Sequence, residues 1–138
     1  MSVVATEPRF VVLADDHPLA GRTSVAFSEI ADLPWMEFDS DPIWCDFWRA
    51  TEQRTKPATL GPRGRTLEDL LEAARAEQAT ALVPASIATA TAWPGLAFIP
   101  VPDVPPSSIA VAWPEDGQSA LVREFVAVAS QLATTAVR

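Results

Sequence analysis

Thr66 to Ser86 reads TLEDLLEAARAEQATALVPAS, and a helix and a strand lie back to back in it. Thr66 stands where an N-cap belongs, with Asp69 at the capping-box position in place of the usual Glu. Leu67, Leu70, Leu71 and Ala74 then recur at helical spacing and mark an inner face. Thr80 to Val83 is apolar and β-prone, so the spacing predicts a strand. Pro84-Ala85-Ser86 reads as a turn, with Ser86 capping a short helix through Ala92 that Pro94-Gly95 closes. A strand set between helices is the repeating unit of an α/β fold.

The same alternation continues outward. Upstream, Arg9 to Ala14 (RFVVLA) reads as a buried strand and Asp15-Asp16-His17-Pro18 as its turn. Ser28, rivalled by Ser24, caps a short helix from Glu29 to Leu33 that Pro34 ends, and Trp35 to Phe38 is a second strand. Asp39-Ser40-Asp41-Pro42 offers N-caps and a proline to open the helix IWCDFWRATEQR. Ile43, Phe47 and Ala50 share a face there beside the pair Trp44 and Trp48, so much of this helix is expected to be buried. A strand is expected near Ala58 to Leu60, and Gly61 to Arg65 reads as a loop. Downstream, Leu96 to Val101 and Ser108 to Trp113 read as strands joined by the stiff PDVPPS. From Ser119, the spacing of Leu121, Val122, Phe125, Val126, Ala129 and Leu132 makes an amphipathic helix. The expectation is α/β with a largely parallel sheet flanked by helices, ending in that helix.

Composition narrows the function. A chain of 138 residues, 49% hydrophobic, suffices for one compact domain. Its 18 acids against 10 bases give a net charge of −8, which counts against nucleic acid as a direct partner. The lone Cys45 and the absence of paired Cys/His spacing give no basis for an internal disulfide or a zinc site, and fit a reducing cytoplasm. The N-terminus lacks a basic, apolar leader and no apolar run nears the ~20 residues of a membrane span, so secretion and membrane insertion are disfavoured. Charge is unevenly spread: Thr23 to Trp48 holds six acids and no base, whereas Arg49 to Arg65 holds five bases and one acid, Glu52. That pattern reads as two differently solvated faces, or as Arg63 and Arg65 holding an anion near a helix start.

No catalytic constellation stands out. His17, the sole histidine, has no nucleophile signature near it and is read as a turn residue. Cys45 reads as a small apolar residue rather than a reactive thiol, and Trp44 and Trp48 as packing residues before pocket lining. Asp39 and Asp41 read as helix-start electrostatics rather than an acid/base pair. No metal site, phosphate loop or dinucleotide fingerprint is present, so neither a cofactor nor a metal is expected.

Several strings, in order, resemble the effector-binding domain of LysR-type transcriptional regulators. They are VVLADDHPLAGR from Val11 with its His17-Pro18-Leu19-Ala20 core, SEIADLPW from Ser28, LEDLLEAARAEQATALVPAS from Leu67, Ile109 to Trp113, and VREFVAVA from Val122. The resemblance covers most of the chain and rests on the order of motifs that are each weak. It implies a fold like the periplasmic binding proteins, two α/β lobes joined by crossover strands with a small organic effector between them, a carboxylate or aromatic acid fitting best. After a lead-in at 1–8, residues 9–105 would be the second lobe, and 106–138 would return to a first lobe. In that family the early strands of the first lobe, a linker helix and a winged helix-turn-helix all precede this region. DNA would be contacted only through the winged helix, and the resemblance further implies a cytoplasmic, oligomeric regulator that is not an enzyme.

By matching position, the effector site would draw on Asp39, Ser40 and Ile43, on Arg63, Arg65, Thr66 and Leu67, and on Pro84, Ala85 and Ser86. Helix starts present unpaired N–H groups, and ligands of open α/β sheets gather at the carboxyl ends of strands. Thr66 is favoured, because a capping hydroxyl can still donate. The sequence departs from the family where glycines usually turn the chain from helix to strand, since Glu77 and Ala79 stand there. A free-standing interaction module acting by mixed dimerisation is the alternative function.

Overall fold

The computed structural model describes residues 1–90 and 92–136, so Thr91, within the short helix expected to run to Ala92, lies outside the described residues. The chain divides into two compact units, Pro8–Pro105 and the pair of segments Met1–Glu7 with Pro106–Arg138.

In the first unit, β2 (Arg9–Ala14) pairs antiparallel with both β5 (Leu82–Pro84) and β6 (Leu96–Pro100). β3 (Pro34–Phe38) pairs parallel with β4 (Thr59–Gly64), and a parallel bridge between Trp35 and Thr80 ties β3 to the approach of β5. The strands therefore run in the order β4-β3-β5-β2-β6, with four pointing one way and β2 the other. The expectation of a largely parallel sheet holds for the direction of four of these five strands, whereas β2 pairs antiparallel with both of its neighbours, β5 and β6. No periodicity in RFVVLA encodes its direction.

Side chains alternate across this sheet. Val11, Leu13, Trp35 and Leu82 enter a core with Val25, Phe27, Ile30, Ile99 and Val101. Val12, Met36 and Val83 enter a second core with Leu70, Leu71, Ala73 and Ala74. Burial on both faces explains why β2 is apolar throughout. On one side lies α1 (Phe27–Ile30), with Phe27 and Ile30 inward, and on the other α3 (Leu67–Arg75). Thr66 caps α3 as expected, its Oγ1 accepting from Asp69 N at 3.1 Å while the Asp69 carboxylate accepts from Thr66 N at 3.0 Å. Thr80 is buried with its hydroxyl donating to Val12 O at 2.6 Å, so the cost of burying it is met.

Four local expectations change. α1 begins after Ala26 rather than Ser28, because Glu29 accepts from Ala26 N and the Asp103 carboxylate from Phe27 N, so neither serine is needed as a cap. The helix opened by Pro42 is short: α2 is Pro42–Trp48, then Ala50 turns left-handed at φ 51° into a 3-10 turn at Thr51–Gln53. Of its expected buried face, Ile43 is 82% exposed and Phe47 is also exposed, whereas Ala50 is buried as expected, and Cys45, off that face, is buried too. Gly61–Gly64 belongs to β4 instead of a loop, since parallel pairing with Pro34–Phe38 supplies bonds that its own weak β-propensity does not. Finally α4 (Ala85–Ala90) starts at Ala85, ahead of Ser86.

In the second unit, β1 (Ser2–Glu7) pairs antiparallel with β7 (Ser107–Val111), and α5 (Ala120–Ala136) packs against β1. Residues 1–8 are thus largely a strand rather than a lead-in. β1 (SVVATE) alternates weakly and gains its order from β7. No described helix is long and apolar enough to cross a membrane.

Candidate functional site

Strands β3, β4 and β5 are co-directional neighbours, and each is followed at its carboxyl end by a helix: α2, α3 and α4 respectively. Three helix starts therefore lie along one edge of the sheet. Arg9 also lies at this edge, because β2 runs oppositely and Arg9 pairs with Pro84.

At the ends of β3 and β4 the Asp39 carboxylate takes both arginines. Arg63 Nη2 donates to Oδ1 at 3.2 Å, and Arg65 donates to Oδ2 through Nε at 2.8 Å and Nη2 at 2.7 Å. The Arg65 hydrogen bonds, and then the charges of both guanidinium groups, hold the Asp39 carboxyl below its ordinary pKa. Asp69 is lowered too, chiefly by backbone N–H donation from Arg65 and then Thr66. Asp39, Arg63, Gly64, Arg65 and Asp69 bound a cleft of about 430 Å³. The cleft is formally neutral, so what it presents to a ligand is donors rather than net charge. A side chain at Gly64 would be crowded, since a Cβ would meet Met36 Cε and lie 2.7 Å from Asp69 Cβ. Asp39 is therefore an arginine partner, correcting its reading as a helix-start charge; Asp41 alone caps α2, accepting from Ile43 N at 2.8 Å.

The ten positions singled out from sequence fall into three groups along the edge. Asp39, Arg63, Arg65 and Thr66 are brought together through Asp39 and Asp69, with Leu67 opening α3 and half-buried against its core. Ser40 precedes α2, its carbonyl accepting from Cys45 Sγ at 3.7 Å, and Ile43 belongs to a different cleft of about 350 Å³ with Arg9, Phe47 and Pro105. Pro84, Ala85 and Ser86 lie at the end of β5 and start of α4, where Ala85 N donates to Pro8 O at 3.0 Å, and they do not line the Asp39 cleft.

Arg9 was not singled out from sequence. It is 2% exposed, donating from Nε to Pro105 O at 2.6 Å and from Nη1 to Phe47 O at 2.5 Å, with its guanidinium carbon 4.1 Å from the Phe47 ring centroid. Desolvation lowers its pKa, and among the described residues no carboxylate lies within ion-pair reach. The only hint in sequence was a charged residue opening an apolar strand.

The family model described as "LysR substrate binding domain" matches residues 2–133. The small neutral protease regulatory protein of Streptomyces coelicolor is 36% identical over 61 residues, 44% of this chain and 18% of that regulator. A mutant OxyR from Corynebacterium glutamicum superposes with TM-score 0.77 at 24% identity, over 97% of this chain and 43% of that one. The effector-binding domain of QuiR in complex with shikimate does so with TM-score 0.71 at 17% identity, over 97% and 65%. The chain thus spans less than a fifth of the matched curated regulator and less than two thirds of these solved chains. The matched family is one of transcription-regulator modules, not of enzymes. The chain belongs to the LysR substrate-binding domain family, the effector-binding module of LysR-type regulators.

Proposed function

We propose that the edge formed by the ends of β3, β4 and β5 is one wall of a site for a small organic acid in a cytoplasmic, homo-oligomeric regulator. The observation that carries this reading is the Asp39–Arg63–Arg65–Thr66 cluster at an edge where three helices begin. Asp39 occupies only part of the donor capacity of two guanidinium groups that are 64% and 78% exposed. An incoming carboxylate finds planar bidentate donors there and a Thr66 hydroxyl with its proton free to give. The exposed Ile43 and half-open Phe47 supply apolar surface for the organic part.

On the same reading residues 9–105 form the second lobe and 106–138 return to the first, and DNA contact is assigned to a winged-helix domain rather than to any residue of this sequence. Effector occupancy acts by binding two arrangements of the regulator with different affinity. The apolar stripe of α5, with Leu121 76%, Phe125 63% and Leu132 65% exposed, supports association through that helix. It equally favours the second reading, a free-standing module acting by mixed dimerisation.

Calorimetry with aromatic and aliphatic acids, shikimate among them, tests the assignment on wild type, Arg63→Ala and Thr66→Ala. The expected result is about tenfold weaker binding in each variant. Equal binding in all three removes the site.

A further inference from the structure

Among the described residues two that are not glycine are left-handed, Ala50 and Glu77. Ala50 is buried in the core, whereas Glu77 is exposed. The Glu77 carboxylate has no hydrogen-bond or ion-pair partner among the described residues. Its side chain therefore makes no bond within them that accounts for a glutamate where glycine or asparagine would close the helix at less cost. A residue held in a sparsely populated conformation with no internal reason for it points to a use.

Glu77 lines a cleft of about 210 Å³ within Pro8–Pro105. β2 runs against its neighbours, so its carboxyl end at Leu13 meets the entry to β3 at Leu33 and Pro34 and the end of α3 at Ala74. The cleft therefore sits at the edge opposite the three helix starts. Its lining is mostly apolar, and its polar side chains are His17, Glu77 and Thr80. Thr80 is buried and donates to Val12 O. His17 is half-buried and its Nδ1 accepts from Leu19 N at 3.1 Å, so the imidazole carries its proton on Nε2, a donor with no partner among the described residues. No lysine or arginine lines the cleft. Arg75, the base nearest to Glu77 along the chain, donates to Pro94 O at 3.0 Å and pairs with Glu72.

We infer that the His17–Glu77 cleft binds a small amino alcohol in its ammonium form, at a site separate from the proposed effector edge. One carboxylate beside the carbonyl end of α3 favours a monovalent cation. A plain alkylammonium has donors only and would leave the His17 Nε2–H facing another donor, whereas a hydroxyl next to the ammonium accepts from it. A carboxylate in place of that hydroxyl would meet Glu77 as a like charge. The volume suits about seven non-hydrogen atoms, with the hydrocarbon part against Leu13, Leu33 and Pro34.

The test is titration of the labelled full chain with valinol, followed by amide chemical shifts, at about pH 7.5, where an aliphatic amine is charged. The expected result is saturable shifts at Ala14 and His17 and from Glu77 to Thr80, with Kd of about 1–10 mM. Binding should weaken at least about fivefold in Glu77→Gln and in His17→Phe and stay unchanged in Arg65→Gln. Glu77 is exposed, so its variant reports even if His17→Phe disturbs the turn. Isoamylamine and isoamyl alcohol, each lacking one of the two polar groups, should bind at least about fivefold more weakly than valinol. No saturation by about 50 mM, wild-type affinity in Glu77→Gln, an equal loss in Arg65→Gln, or either analogue binding as tightly as valinol would each overturn the inference.

Discussion

Replacing Glu77 by glycine should make the protein more stable. α3 ends at Arg75 with Ala76 as its C-cap, and the two bonds that close it run from Glu77 N to Ala74 O at 3.0 Å and from Gln78 N to Ala73 O at 2.8 Å. This is a complete Schellman closure, whose first residue past the cap is left-handed and normally glycine. Here it is Glu77, at φ 56°. A β-carbon in that region costs about 1–2 kcal/mol. Glycine removes this cost but gives back roughly 0.5–1 kcal/mol through the greater freedom of its unfolded chain. The net gain should be about 0.5–1 kcal/mol, or an increase in Tm of about 2–4 °C at this size. Urea unfolding and thermal melts of Glu77→Gly, Glu77→Asn and Glu77→Ala provide the comparison. The expected order is Gly above Asn above wild type, with Ala close to wild type. A glycine variant no more stable than the alanine one would refute the reasoning, because it would mean that no left-handed strain exists at this position.

Arg9→Met should cost about 2–4 kcal/mol in urea unfolding, since it strips the Pro105 and Phe47 carbonyls of their donor. Arg9→Lys should recover little of this, because an ammonium cannot span both carbonyls and stack on Phe47; full recovery would show that the fork is unimportant. Asp39 has its folded pKa below the ordinary value of 3.8, so folding releases protons and its contribution is present above that value and is lost as pH falls through the lower folded one. Asp39→Asn should therefore be less stable than wild type near neutrality, with the gap closing below about pH 4; a gap constant from pH 7 to 3 would contradict the ion-pair assignment. Gly64→Ala should cost about 1–3 kcal/mol by overpacking against Met36 and Asp69, and a neutral outcome in thermal melts would show that this edge yields.

What could be read in the sequence follows from what each residue must do locally. The capping box of Thr66 and Asp69, the apolar face through Leu70 and Ala74, and the apolar run of β2 state their own structure, and they were legible. Of β4 only the start near Ala58 to Leu60 was legible, because Gly61–Gly64 carries glycine and proline and is strand only by virtue of its partner. The exposure of Ile43 and Phe47 was equally hidden, since helical periodicity shows which residues share a face but not what covers it. At the candidate site, Arg63, Arg65 and Thr66 were visible as a basic loop entering a capped helix. The role of Asp39 was misread, because its partners lie 24 and 26 residues away. Arg9 escaped notice because arginine is usually exposed, and only the carbonyls of Phe47 and Pro105 account for its burial.

The central claim is that ligand recognition belongs to the edge where α2, α3 and α4 begin. Amide chemical-shift mapping on the labelled protein during titration with shikimate and benzoate tests it most directly. Shifts should concentrate at Ile43, at Arg63 to Leu67, and at Ala85 and Ser86, while Ala31 and Thr59 at the far edge stay still. Saturable shifts confined to the far edge, with residues 63–67 unmoved, would contradict it.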